Sequence, residues 1–198
     1  EVFGIPVETL PALLAAFGRV EAVGQSFPVY KVVSADGLSI AVALPRRESQ
    51  QGRGHKGFEV HGDPFMPLAD AARRRDFTIN AISWDPLTDE YVDPAGGRAD
   101  LERGVLRAVD PRTFGDDSLR ALRAVQFAAR FDFRLDEGTA TLCRSIRLDD
   151  LPAERIWGEL EKLLLQAARP SIGFSLARDL GIIEQVLPEM VPLVGCEQ

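Results

Sequence analysis

Residues Arg73-Arg74-Arg75-Asp76-Phe77-Thr78-Ile79-Asn80-Ala81, followed downstream by Asp116-Asp117-Ser118-Leu119-Arg120-Ala121-Leu122-Arg123, decide how this chain reads. The first stretch passes from a basic run into alternating polar and apolar residues. Alternation at period two predicts a strand over 77–84, with Asp76, Thr78 and Asn80 on one face and Phe77, Ile79 and Ala81 toward a core. In the second stretch, Leu119, Leu122, Val125 and Ala129 recur at helical spacing. Asp116, Arg120 and Arg123 take the opposite side, with Asp117 beside them. A helix is expected over 116–131, capped by Asp116 or Gly115.

Upstream, 6–17 reads as a helix with Pro6 in its first turn and Gly18 as its stop. Residues 29–33 and 38–44 read as strands joined by the turn signal Asp36-Gly37. The stretch 50–62, rich in Gly and charge, reads as a mobile loop, and 67–73 as a short helix. Residues 90–92 form the second arm of a hairpin that turns at 86–89. After the turn residues Asp93-Pro94-Ala95-Gly96-Gly97 the character changes, and 136–146, 152–168 and 171–180 all read as helices. The fold class is therefore α+β: a small mixed or antiparallel sheet with helices over 1–109, then an all-helical part over 110–198.

The 198 residues are 45% hydrophobic, enough for one substantial core or two small modules. A net charge of −7 argues against a surface that coats nucleic acid wholesale. Arginine outnumbers lysine 20 to 3, and eleven of the arginines lie between Ala71 and Arg134 beside eleven acids. Guanidinium forks suit phosphates and base edges, although a GC-rich genome also writes Arg for Lys. Cys143 and Cys196 have no CxxC spacing, and His55 and His61 sit in a loop-like stretch. Structural zinc is not expected, and a reducing, cytoplasmic setting is. No apolar run reaches membrane-spanning length, and no signal peptide is visible. The first residue is Glu rather than Met, as in a chain that starts mid-message.

Arg75 can reach a triphosphate, and Asp76 and Asn80 can bond a ribose hydroxyl. Spacing alone is met more simply by a solvated basic cluster ahead of an edge strand. Asp116 and Arg120 also suit an ordinary i,i+4 ion pair, worth about 0.3–0.5 kcal/mol when exposed. The functional alternative is a protein template for a base. A carboxylate would accept from an exocyclic amino group while a neighbouring guanidinium donates to a ring nitrogen. Cytosine and adenine fit that pattern. Uracil and guanine leave two mispaired groups. Asp93, Gly96, Gly97 and Asp100 read either as a hinge with a cap or as a plain turn into a short helix. Gly52, Gly54 and Gly57 with Arg53 and Lys56 lack the Gly-Lys-Ser/Thr ending of a P-loop. They read as a loop able to touch RNA phosphates.

On these residues the chain resembles the class II tRNA nucleotidyltransferases, that is, the bacterial CCA-adding enzymes and the related poly(A) polymerases. Arg74 to Ala81 resembles the family's ribose-and-phosphate motif, and Asp93 to Asp100 its flexible-loop motif. Asp116-Asp117-x-x-Arg120-x-x-Arg123 resembles its base-reading motif, with Asp116 where most members carry Glu. Glu154-Arg155-Ile156 with Glu159 and Lys162 resembles the neck helix that braces the pocket. The resemblance implies a nucleotidyltransferase head over 1–109 and a nucleotide- and RNA-binding neck over 110–198. It implies template-independent addition of CMP and AMP from CTP and ATP to a tRNA 3′ end, with Mg²⁺ as cofactor. Arg75 would hold triphosphate, Asp76 and Asn80 the ribose, and Asp117 with Arg120 the base, supported by Arg123. Family members open with a glycine-rich strand-turn and then a strand carrying Asp-x-Asp, which runs into a sequence like Glu1-Val2-Phe3-Gly4. A third carboxylate falls at the position that is Ala41 here. The metal ligands are thus expected to be missing from this chain, with no catalytic residue identifiable in it. A catalytically inactive nucleotide- or RNA-binding module stays open beside the enzyme reading, as do poly(A), CC-only and A-only relatives. Nothing in the motifs bears on oligomeric state.

Overall fold

The computed structural model describes residues 1–24, 29–50, 58–193 and 195. The elements run α1 (Leu10–Ala15), β1 (Arg19–Val23), β2 (Val29–Val33), β3 (Ser39–Val42), β4 (Arg46–Gln50), β5 (Phe58–Gly62), α2 (Leu68–Arg73), β6 (Ser83–Asp85), β7 (Glu90–Val92), α3 (Gly97–Glu102) and β8 (Val105–Leu106). They continue with α4 (Leu119–Phe131), β9 (Arg134–Leu135), α5 (Glu137–Ser145), α6 (Ala153–Gln166), α7 (Pro170–Asp179) and α8 (Ile183–Val186). Two compact units result, Glu1–Ala71 and Ala72–Gln198. No described helix is long and apolar enough to cross a membrane.

In the first unit, β1, β2 and β3 form an antiparallel meander, with Arg19 opposite Val33 and Tyr30 opposite Val42. Alternation along β2 turns Tyr30 and Val32 inward. Tyr30 packs with Leu10 and Leu44 into a small core. The strand β1 is not expected from sequence. Nor is the β4–β5 ladder, in which Arg46 pairs with Gly62 and Gln50 with Phe58. Apolar Phe58 and Val60 supply a period-two signal for β5 inside the stretch expected to be loop. Residues 51–57, with Arg53, His55 and Lys56, lie outside the described residues, as does Cys196. Ala41 is exposed on β3, opposite Lys31.

The second unit is built around α4. Ala121, Ala124, Ala128 and Ala129 are buried on it beside Leu122 and Val125, and small side chains let α6 and α7 approach closely. A Cβ at Gly173 of α7 would lie 3.2 Å from that of Ala129. Phe77 is fully buried edge-to-face on Phe114 and Phe127, with ring centroids 5.7 and 5.8 Å away. Leu106 and Ala108 join the same core. Phe77, Leu106 and Ala108, which the sequence groups with the preceding strands, therefore share the core of the helices.

Two local expectations are corrected. The stretch 77–84 is not a continuous strand. Phe77 makes a single antiparallel bridge to Ala108, and the chain then closes a 3-10 turn over Thr78–Ala81 before β6. The cause is tertiary: the fully buried Thr78 donates its hydroxyl to Asp100 at 2.7 Å. Helix α4 starts at Leu119 rather than 116. Phe114–Asp116 form a 3-10 turn, and Asp117 is extended at φ −122°, ψ 104°.

Candidate functional site

Polar side chains of the second unit meet where the Asp76–Asn80 segment, the start of α4 and the helix α6 come together. Asp76 is 9% exposed. Its Oδ1 accepts the Phe77 N–H at 2.8 Å and the Asn80 amide at 2.9 Å. Its Oδ2 accepts Arg123 Nε at 2.6 Å. A carboxylate offers about four lone-pair sites, so one on Oδ2 remains for a ligand hydroxyl. The 3-10 turn thus brings Asn80 back onto Asp76, an encounter that an extended strand would not allow.

Arg123 lies over the Phe127 ring at 4.8 Å, with Nη1 4.0 Å from Oε1 of Glu159 on α6. Glu159 is buried and takes Lys162 Nζ at 2.7 Å, while its Oε2 has no partner among the described residues. A buried carboxylate is tolerated because two cations face it.

Asp117 accepts the Leu119 N–H at 3.2 Å on Oδ1 and Arg155 Nη2 at 3.0 Å on Oδ2. Arg120 donates from Nη1 to the Thr113 carbonyl and from Nη2 to the Arg74 carbonyl, each at 2.8 Å. Two fixed backbone acceptors hold the guanidinium plane and leave three of its five N–H donors. Arg75 is exposed on the preceding segment. Arg155 links Asp117 to α6 just as Glu159 links Arg123 to it. The carbonyls that fix Arg120 carry no sequence signal, since any residue supplies one.

Asp93, Gly96, Gly97 and Asp100 form a separate cluster. The Asp93 carboxylate accepts the N–H groups of Gly97 and Arg98 at 2.7 and 2.9 Å. Asp100, with no exposed surface, accepts Thr78 Oγ1 at 2.7 Å, Arg103 Nη2 at 2.6 Å and Arg107 Nε at 2.8 Å. Burial raises its pKa, but the combined bonds of Thr78, Arg103 and Arg107 outweigh it and hold the carboxyl below its usual range. Gly96 is left-handed at φ 73°. A Cβ on Gly97 would meet the Thr78 carbonyl oxygen at 2.1 Å. Gly97 therefore serves close packing, and the cluster is a bonded knot at the turn that leads into α3. Thr78, expected beside Asp76 and Asn80, belongs to this knot. Arg103 and Arg107 in it escape sequence reasoning because nothing local ties them to Asp100.

Among the described residues no group of three or more His, Cys, Asp or Glu is placed to hold a metal. Of the candidate site's carboxylates, Asp76 and Asp117 each already bond an arginine and Glu159 bonds Lys162. This donor set does not fit Mg²⁺, which takes six oxygen ligands in near-octahedral geometry.

The family described as "Poly A polymerase head domain" matches residues 8–107, and "Probable RNA and SrmB-binding site of polymerase A" matches residues 132–193. The multifunctional CCA protein of Stenotrophomonas maltophilia is 42% identical over 201 residues, covering 98% of this chain and 48% of that protein. That of Nitrosococcus oceani is 39% identical over 198 residues, covering 98% and 47%. The chain spans about half the length of the curated relatives it matches. Among solved structures, an apo CCA-adding enzyme superposes with a TM-score of 0.77 at 27% identity, over 96% of this chain and 46% of that one. The Thermotoga maritima CCA-adding enzyme complexed with tRNA-CCA gives 0.72 at 26%, over 94% and 42%. A CCA-adding enzyme complexed with CTP gives 0.71 at 27%, over 94% and 43%.

Proposed function

Because the chain belongs to the class II family of CCA-adding enzymes and bacterial poly(A) polymerases, we propose that it is the nucleotide-selecting part of a tRNA nucleotidyltransferase. The reaction proposed is transfer of CMP and AMP from CTP and ATP to a tRNA 3′ end. The 3′-hydroxyl oxygen attacks the α-phosphorus, the bond to the bridging oxygen breaks, and pyrophosphate leaves. The proposed domain division is the nucleotidyltransferase head at 1–109 and the neck at 110–198. The proposed setting is the cytoplasm.

The observation that carries this reading is the paired bracing of Asp117 and Arg120. One is held by Arg155 and the other by two backbone carbonyls. A carboxylate and a guanidinium fixed three residues apart form an acceptor beside a donor, which matches the amino group and ring nitrogen of cytosine and adenine. Uracil or guanine would place N–H against N–H and carbonyl against carboxylate. In this reading Asp76 and Asn80 take the ribose, Arg75 takes the triphosphate, and Arg123 supports the pocket. Mg²⁺ is the cofactor proposed for the transfer. The part proposed for the residues named here is binding and selection.

The engagement of Asp76 and Asp117 by arginines favours a second reading, a module that binds nucleotide without transferring it. One assay separates the two. Labelled CTP or ATP, Mg²⁺ and tRNA lacking its CCA end should yield 3′-labelled tRNA if the chain transfers, with the label lost in Arg120→Ala. Nucleotide binding without label supports the second reading, and label retained in Arg120→Ala contradicts the assigned site.

A further inference from the structure

A cleft of about 420 Å³ in the second unit is lined by Arg103 of the α3–β8 turn, Arg107 just after β8, and Arg134 of β9, together with Asp100, Asp136 and Glu137. None of Arg75, Asp76, Asn80, Asp117, Arg120 or Arg123 lines it. Its three carboxylates are all engaged. Asp100 is fully buried under Arg103 and Arg107. Asp136 caps α5 by accepting the Thr139 N–H at 3.1 Å, and Glu137 pairs with Arg144 at 3.1 Å. The arginines are not saturated. Arg103 donates to Asp100 from Nη2 alone, and Arg107 uses Nε and Nη2 on Asp100 and the Ala95 carbonyl. The Arg134 guanidinium has no partner among the described residues, although the Arg134 N–H anchors the strand to the Gly104 carbonyl at 2.9 Å.

We propose that this cleft binds a phosphate group, carried either by free polyphosphate or by an RNA backbone. Asp100 leaves N–H donors unused on both guanidiniums that it bonds. The tetrahedral oxygens of a phosphate can accept from guanidiniums on several segments at once. The parallel pairing of Val105 with Arg134 places those segments side by side. The cleft is joined to the Asp76–Asn80 segment by the Thr78–Asp100 bond and by the Thr78 N–H, which donates to the Arg107 carbonyl at 2.9 Å. Asp117 and Arg120 do not line it, so the proposal stands whether or not the function proposed above holds.

The test uses this chain, inorganic pyrophosphate followed by calorimetry, and a short fluorescent oligoribonucleotide followed by anisotropy. Arg134→Ala and Arg134→Glu are compared with the parent, with melting temperature as the folding control because Arg134 is exposed. One lost charge-assisted contact weakens binding about tenfold. For the oligonucleotide it also lowers the slope of log affinity on log salt by about 0.7. Weakening of both probes assigns a bare phosphate site, of the oligonucleotide alone an RNA backbone site, and of pyrophosphate alone a free-polyphosphate site. Unchanged affinity for both probes in a normally folded Arg134→Glu, or no binding of either by the parent, overturns the proposal.

Discussion

Replacing Asp100 with Asn tests the knot that positions the Thr78–Ala81 turn. The carboxylate is fully buried and accepts three bonds, from Thr78, Arg103 and Arg107. Asparagine keeps the shape but turns one oxygen into a donor that faces donors. A bond to a charged group contributes about 1.5–3 kcal/mol. Arg103 and Arg107 are 61% and 40% exposed, so water takes back part of that loss. About 1 kcal/mol for each arginine, plus about 1 kcal/mol for the buried Thr78 hydroxyl, sums to about 3 kcal/mol of destabilisation. Urea unfolding at neutral pH reads this as a lower midpoint at unchanged slope. The native Asp100 carboxyl lies below its unfolded value, so its contribution is full above that value, about 3.9, and fades as pH falls through the folded one. The difference between Asp100→Asn and the parent must therefore shrink in acid. A loss under about 1 kcal/mol at neutral pH, or a gap that widens in acid, would refute the reasoning.

Gly97→Ala drives a Cβ to 2.1 Å from the Thr78 carbonyl oxygen, a backbone atom, whereas Gly173→Ala meets the movable Leu163 Cδ1 at 2.4 Å. Gly97→Ala is expected to cost about 1–3 kcal/mol and more than Gly173→Ala, as urea midpoints will show. Burial pushes the Cys143 thiol up to about 12. In native protein at mild alkaline pH, peptide mapping after iodoacetamide should find Cys143 unlabelled, with labelling appearing only when urea unfolds the chain.

Helix α4 was legible because Leu119, Leu122, Val125 and Ala129 repeat on one face, and the β2–β3 hairpin because Asp36-Gly37 punctuates two apolar runs. The stretch 77–84 was misread because its alternation of Phe77, Ile79 and Ala81 with Thr78 and Asn80 is period-two in form. A buried bond from Thr78 to Asp100, 22 residues away, bends it instead. Such a bond leaves no local trace. The start of α4 failed likewise, since Asp117 leaves the helix while its carboxylate bonds Arg155. The candidate residues stand out in the sequence as types in a spaced pattern. Their bracing was not, because the Thr113 and Arg74 carbonyls that hold Arg120 belong to the backbone.

The most direct measurement of the central claim is the affinity of this chain for CTP, ATP, UTP and GTP, with and without Arg120→Ala. A mispaired buried group costs about 1–3 kcal/mol, so CTP and ATP should bind at least about tenfold more tightly than UTP and GTP. In a folded Arg120→Ala the four affinities should converge. Equal affinities in the parent, or a preference that survives the substitution, would contradict the assignment of Asp117 and Arg120 as the base-reading pair.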